Sequence, residues 1–257
     1  MRKAKPATTR QLPLYSAPAL TKGLRVLELL ASSARPFTQT EIAQALERTS
    51  GELYRMLAVL EQEGYVQKDA FGAYSLTLKL LTLGHGSRYL ETLLRTARGF
   101  MREYAWKSGE ECHLSVLEDG RLTVIAHESG SGAVSLLVKT GSVHDPRHTV
   151  SGRLLLAYLP EEDRQWHMKR AAAHFGDGKA VDRDLPIFEQ IRQQGYSEAQ
   201  DESLRGIVDT AFPVGDPGGP ALAALASSRF SKGSGKQTLT AARRFLRETA
   251  LSITRAL

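Results

Sequence analysis

A thiol and an imidazole stand side by side at Cys112 and His113, the residue types of a nucleophile and its base, in a 257-residue chain with one cysteine. Neighbours on a strand point to opposite faces, so the two cannot hydrogen-bond as a dyad; Cys112 alternates with Leu114 and Val116 and is predicted to be a core residue. His144 and His148 have the i, i+4 spacing of paired metal ligands, but Pro146 lies between them and argues against the helix that would aim both at one ion. The stretch SKGSGKQT, residues 231–238, lacks the first glycine of a phosphate loop and has Gln237 where a Ser or Thr would hold magnesium, so it reads as a flexible basic loop. No paired carboxylates and no triad emerge. Neither a metal nor a cofactor is expected, and catalysis is not the expected function. A hydrolase using a cavity and an adaptor that binds only protein are the alternative classes.

Chemistry of another kind is carried by residues 38–74. Thr38 precedes Glu41, and Thr49 precedes Glu52, by three residues, the reciprocal pattern that satisfies orphan N–H groups where a helix begins. Two helices are therefore predicted, the first over 39–46. The second places Leu53, Met56, Leu57 and Leu60 at i, i+3, i+4 and i+7 for packing and leaves Ser50, Gly51, Glu52, Tyr54 and Arg55 outside. Gly64 ends it, after which 65–68 and 73–76 flank a turn at 69–72 as a hairpin. A supporting amphipathic helix over 19–31 carries Leu20, Leu24, Leu27 and Leu30. The whole, over residues 16–83, is an α-rich winged helix-turn-helix with a β-hairpin wing, an element that docks on double-stranded DNA. Candidate DNA contacts are Thr38, Ser50, Gly51, Glu52, Tyr54, Arg55 and Lys68. Arg55 suits a phosphate or a guanine, and Tyr54 and Ser50 suit phosphate. Glu52 could accept from a cytosine amino group, although its capping role explains it as well.

The charge agrees with that assignment. Residues 1–105 hold 15 Lys and Arg against 9 Asp and Glu, and the remainder holds 19 of each, so the net +6 sits entirely with the predicted DNA-binding part. Taken alone, +6 is equally well a solubility charge. Residues 1–15, with Arg2, Lys3, Lys5 and Arg10 among Pro, Thr and Gln, read as a disordered basic arm. Hydrophobic residues at 42% and charged residues at 24% are ordinary for a globular protein. No apolar run approaches the ~20 residues that span a bilayer, and the first 20 residues lack a secretory core, so no membrane association and a cytoplasmic location are expected.

Residues 84–107 are expected to form a linker helix with Leu90, Leu93, Leu94 and Ala97 on one stripe. That stripe either packs on the rest of the same chain or serves as a dimerisation seam. Over 108–257 the texture changes. ECHLSVL and RLTVIAHE form a hairpin around EDG, and AVSLLVK adds another strand. HTVSGRLLLAYLP, EEDRQWHMKRAAAHF and DLPIFEQIRQQG are helices. YSEAQD, GIVDTAFPV and PALAALASS supply strands, and TLTAARRFLRETALSITRAL closes the chain as a helix. Grouped strands with short turns predict an α+β domain with a mainly antiparallel sheet.

Three collinear stretches carry a resemblance: the winged helix ending in LEQEGYV, the segment TGSVHDPRHTVSGRLLLAYLP, and QQGYSEAQDESLRGIVDTAFPV followed by PALAALASS. In order and spacing they resemble the IclR-type transcriptional regulators of bacteria, over residues 19–257. The resemblance implies a winged helix that binds operator DNA, a linker helix used in dimerisation, and a C-terminal GAF-like domain that senses a small effector. It also implies a homodimer or a dimer of dimers. Where the family often starts the recognition helix with a Pro-Lys-Ser-Thr-like run, this chain has Thr49-Ser50-Gly51-Glu52, so no operator sequence transfers.

The same resemblance places Ala199, Asp209, Ala226 and Ser228 on the effector site. Independently, a helix beginning at Thr149, Val150, Ser151 and Gly152 would welcome a carboxylate at its positive end, which makes a small organic acid the expected effector. Asp209 stands where relatives usually carry a cysteine. A strand aspartate is costly to bury without a partner. That partner is either Arg153 or Arg205, or a hydroxyl or amino group on the effector.

Overall fold

Two threonines begin two of the helices of the first unit. In the computed structural model, which describes residues 17–84, 88–132, 136–176, 185–202, 204–216, 219–231 and 236–257, the chain divides into two units between residues 87 and 88. The first unit contains α1 (Pro18–Ala31), β1 (Phe37–Thr38), α2 (Gln39–Ala45), α3 (Ser50–Gln62), β2 (Val66–Lys68), β3 (Ala73–Leu76) and α4 (Lys79–Gly84). Both capping boxes form: Thr38 closes on Glu41 and Thr49 on Glu52. Behind them Val26, Leu30, Ile42, Leu53, Leu57 and Tyr74 make one core. Leu53 and Leu57 are fully buried, which contributes ~1.5–3 kcal/mol each. The expected hairpin acquires a third strand that the sequence reading lacked, because Phe37 and Thr38 pair antiparallel with Tyr74 and Ala73.

The second unit runs α5 (Arg88–Ser108), β4 (Cys112–Glu118), β5 (Arg121–Glu128), β6 (Val143–His144), a 3-10 turn (Pro146–His148), α6 (Val150–Tyr158), α7 (Glu161–Phe175), α8 (Leu185–Gln194), β7 (Ser197–Gln200), β8 (Ile207–Val214), β9 (Ala223–Phe230) and α9 (Lys236–Ala256). Its antiparallel sheet has the order β6-β5-β4-β9-β8-β7. On one face α5 and α9 bury Leu93, Met101, Leu246 and Ile253 against Leu114, Phe212 and Leu225. On the other, α6, α7 and α8 bury Leu154, Met168 and Ile191 against Ala199, Ala211 and Ala224. The architecture is α+β, as the grouped strands predict.

Three expectations are corrected. Helix α5 is not a separate linker, because it belongs to the second unit and forms one wall of its core. Leu93 and Ala97 are fully buried in that core, so they cannot be an intersubunit seam; Leu94 packs against the same core and Leu90 is half-buried. Leu93 and Ala97, two members of the stripe, are taken up by the chain's own core. Of the expected strand AVSLLVK, residues 136–139 have no strand structure, residues 133–135 lie outside the described residues, and the short edge strand is β6 instead. Residues 1–15 and 232–235 also lie outside the described residues, while Lys236 already belongs to α9.

Packing at Leu93 yields a direct test. Leu93→Ala is expected to lower the stability of the second unit by about 2–5 kcal/mol, measured by calorimetry, because the cavity lies in a closed core. Below the melt the sedimentation mass should match wild type, whereas a seam residue would change mass first.

Candidate functional sites: a nucleic-acid interface and a ligand cavity

Helix α3 presents Ser50, Gly51, Tyr54 and Arg55 to solvent. Arg55 has no hydrogen-bond or ion-pair partner among the described residues, so its five donors are available to a phosphate or a base edge. Gln39 donates to the Ser50 carbonyl at 2.8 Å, tying α2 to the start of α3. Lys68, on β2, has its ammonium 5.3 Å from the centre of the Tyr74 ring.

Two of the expected contacts are already engaged within the protein. Glu52 Oε2 accepts from the Thr49 N–H and hydroxyl at 3.1 Å each, and Oε1 accepts from Lys22 at 2.8 Å. Lys22 and the cap together hold its carboxyl near a pKa of about 2. Capping and this ion pair therefore account for Glu52 without a base contact. The Thr38 hydroxyl is likewise occupied, donating to Glu41 Oε2 at 3.0 Å and accepting from the Glu41 N–H at 3.3 Å.

In the second unit a cavity of about 250 Å³ lies between the sheet and the start of α6. The alternation of β4 decides which residues face it. His113 and Ser115 line the cavity, while Cys112 and Leu114 turn into the core against α5. Burial pushes the Cys112 thiol up, which removes it as a nucleophile. Thr149, Val150 and Ser151 bring the first turn of α6 to the cavity, and the Thr149 hydroxyl accepts from the Gly152 N–H at 3.1 Å. Ser151 and Ser115 are 2% and 0% exposed, and neither hydroxyl has a hydrogen-bond partner among the described residues. An unsatisfied buried hydroxyl costs ~1–3 kcal/mol, so two of them, one on the sheet and one on α6, mark where a ligand can repay that cost.

The floor is polar along one row. Ser228 donates from its hydroxyl to Asp209 Oδ1 at 2.5 Å and from its backbone to Glu111 Oε1 at 2.7 Å. Glu111 is buried, and its other oxygen lies 3.5 Å from His113 Nδ1, which leaves His113 Nε2 for the cavity. His127 Nδ1, at 3.4 Å from that oxygen, is not aligned for a hydrogen bond.

Of the residues expected around an effector, Thr149, Val150, Ser151, Asp209, Ala226 and Ser228 line this one cavity. Gly152 and Ala199 do not. A Cβ on Gly152 would come within 2.2 Å of the Pro146 carbonyl oxygen, so this glycine lets α6 close on the preceding turn. Ala199 packs in the core under α6. Arg153 pairs with Glu202 at 2.5 Å rather than with Asp209.

Sequence reasoning missed His113 and Ser115 as lining residues, although the alternation that put Cys112 in the core already sent them to the other face. His144 and His148 also line the cavity, with His144 Nε2 held 2.8 Å from the Ser142 hydroxyl. Burial, and then the charge of His113, lowers the His144 pKa and favours its neutral form. Among the described residues no His, Cys, Asp and Glu cluster could hold a metal ion.

The chain matches two family models: the IclR helix-turn-helix domain over residues 19–70, and the bacterial transcriptional regulator IclR C-terminal domain over residues 90–255. It is 30% identical to the HTH-type transcriptional regulator KdgR of Dickeya chrysanthemi, over 84% of this chain and 73% of that protein. Identity to the glycerol operon regulatory protein of Streptomyces coelicolor is 29%, over 77% and 79% of the two chains. Among solved structures, an IclR transcriptional regulator from Alicyclobacillus acidocaldarius superposes with a TM-score of 0.72 at 24% identity, covering 94% of this chain and 99% of that one. An IclR homologue from Microbacterium hydrocarbonoxydans, complexed with 4-hydroxybenzoate, gives 0.74 at 21% identity, covering 93% and 98%.

The Glu52 geometry sets a pH dependence. Its carboxyl is depressed from 4.5 to about 2 in the fold, so the stabilisation is fully present above pH ~4.5 and is lost as pH falls towards 2. Glu52→Gln should melt below wild type at neutral pH, and the gap should close between about pH 5 and 2. Thermal melts of the two proteins across that range check both sign and window.

Proposed function

The chain belongs to the IclR family of bacterial transcriptional regulators, and we propose that its α3 helix reads an operator while its second unit senses a small carboxylate-bearing metabolite. The cavity carries this reading. It joins the first turn of α6, which has no acidic residue of its own, to two buried hydroxyls without partners among the described residues. A carboxylate seated there would accept from the free first-turn N–H groups and from Ser151. On the sheet side of the cavity, Asp209 already accepts from Ser228 and suits a ligand hydroxyl or amino group.

The relative from Microbacterium hydrocarbonoxydans was crystallised with 4-hydroxybenzoate, which has a carboxylate and a hydroxyl at opposite ends. That compound is the natural first probe. Within the same reading, two copies pair so that their α3 helices meet an inverted-repeat operator. Their contact uses surfaces other than Leu93 and Ala97. The alternatives separate by calorimetry with small organic acids: saturable heat without turnover fits a sensor, turnover a hydrolase, and no heat an adaptor.

Two variants test the two halves. Arg55→Ala should lose ~1–3 kcal/mol of DNA affinity and leave the fold intact. If the contact is to phosphate, the slope of log affinity against log salt should become shallower by ~0.9. Unchanged mobility shifts would remove Arg55 from the interface. Asp209→Ala should abolish the response to the effector and spare DNA binding. A variant that responds normally, or that unfolds, would return Asp209 to a structural role.

A further inference from the structure

A second cleft, of about 240 Å³, lies in the first unit between the start of α1 and the turn that enters α3. Lys22, Arg25 and Arg48 line it, and Leu46 and the buried Leu53 are among its apolar walls. One of these cations stands where electrostatics opposes it. Arg48 immediately precedes Thr49, the cap of α3, so it sits beside the positive end of that helix. Lys22 and Arg25 lie in the early turns of α1, whose first turn has no acidic residue and whose start has no side-chain cap.

Only Lys22 is compensated, by Glu52 at 2.8 Å. Arg25 and Arg48 have no hydrogen-bond or ion-pair partner for their guanidinium groups among the described residues. Folding alone gives no reason to gather two uncompensated guanidiniums in one cleft, one of them beside the positive end of α3. An anionic ligand does. Arg48 lies two residues before the exposed Ser50, where the recognition helix begins.

We infer that Arg25 and Arg48 form a seat for a phosphodiester of the DNA backbone, separate from the base-reading face of α3. The inference rests on the operator-binding reading above. Such a contact fixes the register of the helix on the duplex and contributes affinity that is independent of base sequence. The Lys22–Glu52 pair holds α1 against α3 and so keeps the two walls of the cleft together.

The test uses the full chain and a random-sequence duplex, with affinity followed by fluorescence anisotropy over a salt series. The double variant Arg25→Ala/Arg48→Ala should show a slope of log affinity against log salt shallower by ~0.9, the value for one lost phosphate contact. The conservative variant Arg25→Lys/Arg48→Lys should keep most of the slope. Arg244→Ala, at an exposed arginine of the second unit paired with Glu248, removes a charge elsewhere and should leave the slope unchanged. Because neither guanidinium has a hydrogen-bond or ion-pair partner among the described residues, the double alanine variant should also melt close to wild type.

A double variant with the slope of Arg244→Ala would overturn the seat, as would weakened binding accompanied by a lower melting temperature. Inorganic phosphate is the second arm. If it raises the melting temperature of wild type but not of the double variant, while the duplex slope stays the same, the cleft takes a free anion and the backbone assignment falls. Failure of the wild type to bind duplex at all would defeat the operator-binding reading itself, and the seat with it.

Discussion

The second unit depends on one constraint: strands β4, β9 and β8 must hold register while burying opposite faces in different surroundings. Cys112, Leu114, Leu225 and Phe212 point to α5 and α9, whereas His113, Ser115, Ser228 and Asp209 point to the cavity. A slip of one residue would exchange the two sets and put a carboxylate and an imidazole into a closed apolar core. Several devices hold the register. His113 pairs with Ala226 across β4 and β9, and Asp209 with Ser228 across β8 and β9. Glu111 then bonds the backbone of Ser228 from the far side. At the end of the β4–β5 hairpin, Asp119 takes Arg170 and His174 of α7, and a Cβ on Gly120 would meet the Ala171 nitrogen at 2.4 Å. The exposed ion pairs there contribute little by themselves. The close backbone approach, open only to glycine, is what seats the hairpin end on α7.

Much of this was legible in the chain because the signals were local. Thr38 with Glu41 and Thr49 with Glu52 marked two helix starts to the residue, and the alternation of ECHLSVL separated Cys112 from His113. What failed to read was decided at long range. The stripe of Leu93 and Ala97 has the same periodicity whether it meets a second copy or α9, which arrives about 140 residues later in the chain. The run at residues 136–139 has the composition of a strand, but its leucines and valine are apolar because they line the cavity. Glu52 has the residue type of a cap and of a cytosine contact alike. Lys22, 30 residues earlier, decides between them by taking the oxygen the cap leaves open.

Three of the described helices begin with a threonine cap, and the residue three positions on changes what each start can do. At α2 and α3 that residue is glutamate, which returns a carboxylate to the cap and supplies the negative charge that the helix dipole favours. Those starts are electrically closed. At α6 it is Gly152, and no acidic residue occupies the first turn. The choice is steric before it is electrostatic, because the Pro146 carbonyl lies where any Cβ would go, and no glutamate can be accommodated. The close approach that packs the 3-10 turn against α6 therefore also withholds the internal anion. Thr149 uses one N–H, that of Gly152, and the positive end of the helix is left facing a cavity with Ser151 beside it. One capping residue thus serves stability where a carboxylate can follow it and leaves a receptive helix end where the backbone excludes one.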